Sequence, residues 1–174
     1  VSVLVSALAF ASSSINPAAS KVGITFTESG VPVDASFKKF SGTVDYDPAA
    51  VTTAKVQLSV DVASFDIGDA SYNKEVQKKE WFNAAQFPQA TFTSSSIKAL
   101  SADKLQAQGK LVIKGKALDV NVTVAMKQDA KTRTFSGVLP IKRLYFNIGE
   151  GEWKDTDALA DEVAIKFTIV NALN

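Results

Sequence analysis

The stretch Lys55–Phe65, KVQLSVDVASF, sets Val56, Leu58, Val60 and Val62 against Gln57, Ser59 and Asp61. Side chains of an extended strand point to opposite faces in turn, so the pattern predicts a strand with one apolar and one wet face. After Val62 the parity slips to Phe65 and Ile67, which predicts a bulge or the end of the strand. The same period of two continues outward in both directions. Upstream, KVGITF aligns Val22, Ile24 and Phe26, and FSGTVDYD aligns Val44 and Tyr46 just after Phe37 and Phe40. Downstream, Leu118, Val120, Val122, Val124 and Met126 alternate with Asp119, Asn121, Thr123 and Ala125. Val163, Ile165, Phe167 and Ile169 do the same near the end of the chain.

With ATFTSSSIKAL, KLQAQGKLVIKG and RTFSGVLPIKRLYFNI added, about eight strands emerge, most of them apolar on one face. That pattern predicts an all-β fold whose antiparallel sheet curls or closes. Gly115 and the polar run Gln128–Arg133 read as hairpin turns. One segment breaks the rhythm. SYNKEVQKKEWFN is rich in Lys and Glu and carries Tyr72, Val76 and Trp81–Phe82 at near-helical spacing, predicting a short helix that packs on the sheet or caps a barrel mouth.

A chain of 174 residues suits one domain with a proper core. Its 19 Lys+Arg against 18 Asp+Glu, with no basic run longer than two, speak against a nucleic-acid partner. The chain has neither Cys nor His, which removes thiol nucleophiles, imidazole bases and the usual zinc, haem and iron–sulfur ligands. The balance favours a protein that is not an enzyme; carboxylates such as Glu75 or Glu80 carry the residual catalytic reading.

Val1–Ala11 is apolar and carries Ala9 and Ala11 at the spacing of a signal-peptidase site. The favoured reading is a signal-peptide remnant over residues 1–11, followed by a single domain over 12–174; the other is a buried strand or short helix. Eleven residues fall short of the ~20 a membrane span needs, so no stable span is expected. The acidic segment EGEWKDTDALADE lacks the EF-hand pattern and reads as a solvated loop, with Trp153 folding back over the barrel. In EWFNAAQFPQATFTSSS the aromatics Trp81, Phe82, Phe87 and Phe92 suit either a dry core or a cavity wall, and Pro88 suits the start of a strand.

Taken in order, SINPAASKVGITF, FKKFSGTVDYDP, EWFNAAQFPQATFTSSSI, GKLVIKGKALDVNV, IKRLYFNIGEGEW and DEVAIKF resemble the motifs of the YceI-like, polyisoprenoid-binding family over about Ser14–Asn174. The resemblance implies a lipocalin-like, extended eight-stranded antiparallel barrel with a short capping helix. It implies periplasmic export, no catalytic residues, no metal, and an isoprenoid lipid or isoprenoid quinone in the lumen. No cofactor is implied beyond such a polyprenyl or ubiquinone-like ligand, and a homodimer is compatible with the family. Lumen candidates are Phe26, Phe37, Phe40, Val60, Trp81, Phe82, Phe87, Phe92, Leu111, Ile113, Val122, Phe146 and Phe167. Polar mouth candidates are Tyr72, Arg143 and Tyr145. The chain departs from the family pattern where many members carry Arg-Asp and then His; Tyr72, Asn73 and Glu75 stand there instead. The rival expectation is a stress-response or interaction module whose lumen is filled by its own side chains. A continuous tunnel beneath Phe82 and Phe92 would separate the two.

Overall fold

The computed structural model describes residues 13–173, so the expectation for Val1–Ala11 lies outside the described residues. The alternating segments form one antiparallel sheet built from β1 (Ser13–Ser14), β2 (Lys21–Glu28), β3 (Val31–Phe37), β4 (Phe40–Asp45), β5 (Lys55–Asp61), β6 (Phe65–Asp66), β7 (Gln89–Ser101), β8 (Lys104–Ile113), β9 (Lys116–Gln128), β10 (Thr132–Lys142) and β11 (Glu162–Ala172). Their order is β1-β4-β5-β7-β8-β9-β10-β11-β2-β3-β6. β3 and β4 are halves of one strand, interrupted only at Lys38 and Lys39. The first half pairs with β2 and the second with β5. Because one continuous stretch supplies both sides of the seam, the sheet closes into an all-β barrel. Apart from the two-residue β1 and β6, eight strands remain once β3 and β4 are counted together, as expected.

Local chemistry explains where the strands begin and end. β5 stops where its parity slips, because Asp61 caps a 3-10 turn over Val62–Ser64 by accepting from the Ala63 N–H. Its neighbour β7 starts at Gln89, directly after Pro88, whose carbonyl accepts from the Val62 N–H at 3.1 Å. A register shift in β7 at Ser94–Ser96 is bridged by a side chain: the Ser94 hydroxyl accepts from the Val56 N–H at 2.8 Å. The β8–β9 hairpin turns on Lys114 and Gly115, both with positive φ (50° and 74°), the geometry of a tight two-residue turn. A Cβ at Gly115 would sit 2.7 Å from the Phe87 ring, so glycine is required twice over.

The helix is shorter and earlier than expected. α1 (Ala70–Glu75) starts where the Asp69 carboxylate accepts from the Tyr72 N–H, and from Val76 the chain passes into consecutive turns. Trp81 and Phe82 therefore sit in a turn-rich loop rather than on the helix. A second difference concerns IKRLYFNI. β10 ends at Lys142, and Arg143–Phe146 form a 3-10 turn closed by Asn147 in the left-handed region, so Arg143 and Phe146 are not strand residues.

Inward-facing residues pack as two apolar clusters along the barrel. The capped-end cluster, beneath α1, centres on Phe26, Phe37, Phe65, Trp81 and Phe146; the far-end cluster centres on Ile15, Val44, Ile97, Leu105 and Phe135. Val22 and Leu139 pack against both. Between β9 and β10 the ladder is short, running only from Arg133–Gln128 to Ser136–Ala125. Beyond it the strands splay, and Tyr145 bridges the gap from outside by donating its hydroxyl to the Ala117 carbonyl at 2.9 Å.

Candidate functional site

The inward side chains do not fill the barrel. They leave a cavity of about 240 Å³ whose wall draws on both clusters. Its mid-section is Val22, Leu58, Phe92, Leu111, Val122, Leu139 and Phe167. Toward α1 it is lined by Phe26, Phe37, Val60, Phe65, Val76, Trp81, Phe82, Ile113 and Leu159, and toward the opposite end by Val44, Asp45, Tyr46, Ala54, Leu105, Phe135 and Ile169. The Phe167 ring reaches across to β10, where a Cβ on Gly137 would fall 2.7 Å from it.

Ten of the thirteen expected apolar lumen residues line the cavity: Phe26, Phe37, Val60, Trp81, Phe82, Phe92, Leu111, Ile113, Val122 and Phe167. The other three stand elsewhere. Phe40 follows the break at Lys38–Lys39, packs against the far-end cluster and lines an outer groove beside Pro17 and Lys38. Phe87 lies over the Gly115 turn. Phe146, the last residue of the 3-10 turn, is fully buried outside the cavity wall, edge-on to Tyr145 at 5.1 Å.

The polar candidates divide. Tyr72 lines the cavity from α1 and donates its hydroxyl to Glu28 at 3.3 Å. Burial raises the Tyr72 pKa, and the Glu28 charge raises it further, so the phenol stays a neutral donor at neutral pH. Beneath it Phe37, Phe65 and Phe82 pack with ring centroids 5.8–6.0 Å apart. Tyr145 is a correction: it is 38% exposed, lies outside the barrel, and carries the Lys116 ammonium over its ring at 4.2 Å.

Arg143 is the larger correction. It touches the cavity wall, yet its guanidinium is spent on the fold: Nε donates to the Ala160 carbonyl, Nη1 to Ile148 and Gly149, and Nη2 to Trp153 and Leu159. A guanidinium has five N–H donors, and five carbonyls take them. None is left for a head group. Burial lowers its pKa, partly offset by the Asp161 carboxylate. Arg143 instead pins the loops that close this end, where Trp153 folds back as expected and meets the Trp81 ring in a tilted contact at 5.3 Å. Two buried atoms nearby, Trp81 Nε1 and Gln77 Oε1, have no hydrogen-bond partner among the described residues.

The far end holds polar groups that went unpredicted. Asp45 and Tyr46 line the cavity there, and the Arg133 guanidinium lies over the Tyr46 ring at 4.7 Å. Arg133 belongs to the inward parity of Phe135, Leu139 and Ile141, a signal already present in the sequence but masked by its place in a turn-like run.

Fold and site define a closed antiparallel β-barrel with an apolar lumen, capped at one end by a short helix and an arginine-pinned loop. The YceI-like domain matches residues 14–171, and the chain belongs to that family. The crystal structure of BcnA from Burkholderia cenocepacia is 51% identical, with a TM-score of 0.88 over 90% of this chain and 98% of that one. A polyisoprenoid-binding domain from Saccharophagus degradans, implicated in plant cell wall breakdown, shares the fold at 17% identity, with a TM-score of 0.72 over 94% and 99% of the two chains. Protein YceI of Salmonella arizonae is 38% identical over 80 residues, which are 46% of this chain and 41% of that relative's length.

Proposed function

We propose that the protein binds an isoprenoid lipid or the tail of an isoprenoid quinone in its lumen, and sequesters or carries it. The observation that carries this reading is the cavity itself: about 240 Å³, walled by apolar side chains from one end of the barrel to the other and passing both Phe82 and Phe92. The packed-lumen alternative has no such space. A volume below the ~300–1,000 Å³ of ordinary small-molecule pockets suits a slender chain better than a bulky ring system. The polyisoprenoid-binding description of the Saccharophagus degradans domain supports the same ligand class.

Burial energetics suffice without catalytic chemistry. At ~0.8 kcal/mol per CH₂-sized group, a five-carbon isoprene unit gains about 4 kcal/mol. Association costs roughly 4–15 kcal/mol, so a tail of about one to four buried units offsets it. The ionisable groups on the cavity wall, Asp45, Tyr46, Tyr72 and Arg143, are divided between its two ends, which supports binding over acid–base catalysis. Export to the periplasm belongs to this reading, supported by the apolar opening Val1–Ala11 and its Ala9-x-Ala11 spacing. Organic extraction of the purified protein followed by mass spectrometry is expected to release a prenyl compound. Repeated recovery of lipid-free protein that also takes up no polyprenyl ligand would overturn the proposal.

A further inference from the structure

The two ends of the lumen differ in what they offer a head group. Among the described residues two arginines are buried, and at the capped end Arg143 has all five donors committed. At the far end the second buried cation, Arg133, is 7% exposed and much less satisfied. Its Nε and Nη2 both donate to Gln128 Oε1, at 3.2 and 3.0 Å, and its Nη1 donates to the Tyr46 carbonyl at 3.3 Å. Among the described residues three donors of five are thus used, which leaves one N–H on each Nη without a partner there. Among the described residues no carboxylate lies within 4.0 Å to form an ion pair with it. Both its acceptors are neutral.

Burying a guanidinium without a counter-charge costs several kcal/mol. Stacking on Tyr46 recovers up to ~2 kcal/mol of that. Tyr46 also meets Phe135 edge-on at 5.5 Å, and both rings line the lumen, so the cation stands directly behind the cavity wall at this end.

We infer that Arg133, held by Gln128 and Tyr46, is the head-group site of the lumen, and that it takes an oxyanion such as the phosphate of a polyprenyl phosphate. Two uncommitted N–H donors on one planar cation match the paired oxygens of a phosphate, and the charge neutralises a buried cation. The tail then runs from Tyr46 past Phe92 toward Trp81. This inference rests on the lipid-binding reading and adds to it the head-group chemistry and the end of the barrel that reads it.

The test measures affinities of wild type, Arg133→Gln and Gln128→Glu for three probes: a polyprenyl phosphate, a prenylquinone of equal tail length, and squalene, which has no head group. Arg133→Gln is expected to weaken the phosphate at least tenfold and squalene less than twofold. Gln128→Glu leaves the guanidinium in place but gives it a carboxylate, and is expected to weaken the phosphate comparably, so the inference stays testable if Arg133→Gln folds poorly. Equal loss for phosphate and squalene in both variants would show a packing role and overturn the site. Loss for the quinone with the phosphate unaffected would overturn the oxyanion assignment. Wild-type protein that binds none of the three would overturn the lipid-binding reading itself, which is a separate outcome.

Discussion

Replacing Arg143 by alanine strands five carbonyls, those of Ile148, Gly149, Trp153, Leu159 and Ala160, at a site where the arginine is only 2% exposed. An unpaired buried acceptor costs about 1–3 kcal/mol, but the stranded groups share one loop and relax together, so the costs do not add. Loss of a buried charged partner typically costs ~3–5 kcal/mol, and that range is the expectation for Arg143→Ala. It is roughly a fifth or more of the ~5–15 kcal/mol that holds a domain of this kind. Arg143→Lys keeps the charge but offers three donors instead of a five-donor fork, and is expected to cost about 2–3 kcal/mol. Urea unfolding followed by tryptophan fluorescence is the assay, because Trp153 supplies one of the carbonyls and its ring packs against Trp81. If either variant unfolds within ~0.5 kcal/mol of wild type, the five-carbonyl clamp is not holding this end. Weakened lipid binding with unchanged stability would return Arg143 to the head-group role the structure denies it.

Other expectations follow from single contacts. Gly115→Ala forces a Cβ into a positive-φ turn 2.7 Å from the Phe87 ring, and a loss of more than ~1 kcal/mol is expected in the same unfolding assay. Ser94→Ala removes the acceptor of the Val56 N–H at the β7 register shift and is expected to cost about 1 kcal/mol, with faster hydrogen exchange at Val56. Backbone N–H groups of Lys131 and Thr132 depress the Asp129 pKa, and the Gly68 N–H, Asn73 and Lys38 depress that of Asp66. A carboxylate lowered in the folded state contributes stability above its unfolded pKa of ~3.9 and loses it as pH falls through the folded value. Acid unfolding of Asp129→Asn is therefore expected to fall less steeply below about pH 4 than that of wild type.

The strands were legible because each has one wet face: wherever apolar residues alternate, as in β9 and β11, the sheet follows. Closure was written less plainly. Phe37 and Phe40 are an odd number of residues apart and cannot share a face of one regular strand, so the pair marks the bend at Lys38–Lys39 that joins the barrel. The apolar cavity lining was legible because inward parity and lining coincide. The polar mouth was not. Arg143 follows an alternating strand and so resembled a mouth residue, but its partners come from Ile148 to Ala160, where no local pattern announces five convergent carbonyls. Phe87 covers a turn nearly thirty residues further along the chain, a relation only the fold creates. Arg133 had the parity of Phe135 two residues on, but the surrounding charged run read as a turn.

The central claim is that the cavity between Tyr46 and Trp81 is where the ligand lies. Native mass spectrometry after incubation with a polyprenyl lipid in detergent tests it most directly, with Leu111→Trp as the blocked comparison. Leu111 lines the cavity at mid-barrel, opposite Phe92 in the β7–β8 ladder, and a larger side chain there fills the bore at ~1–3 kcal/mol of overpacking. Wild type is expected to carry one lipid per chain and folded Leu111→Trp to carry none. Equal lipid loading of the two proteins would contradict a ligand held in the lumen.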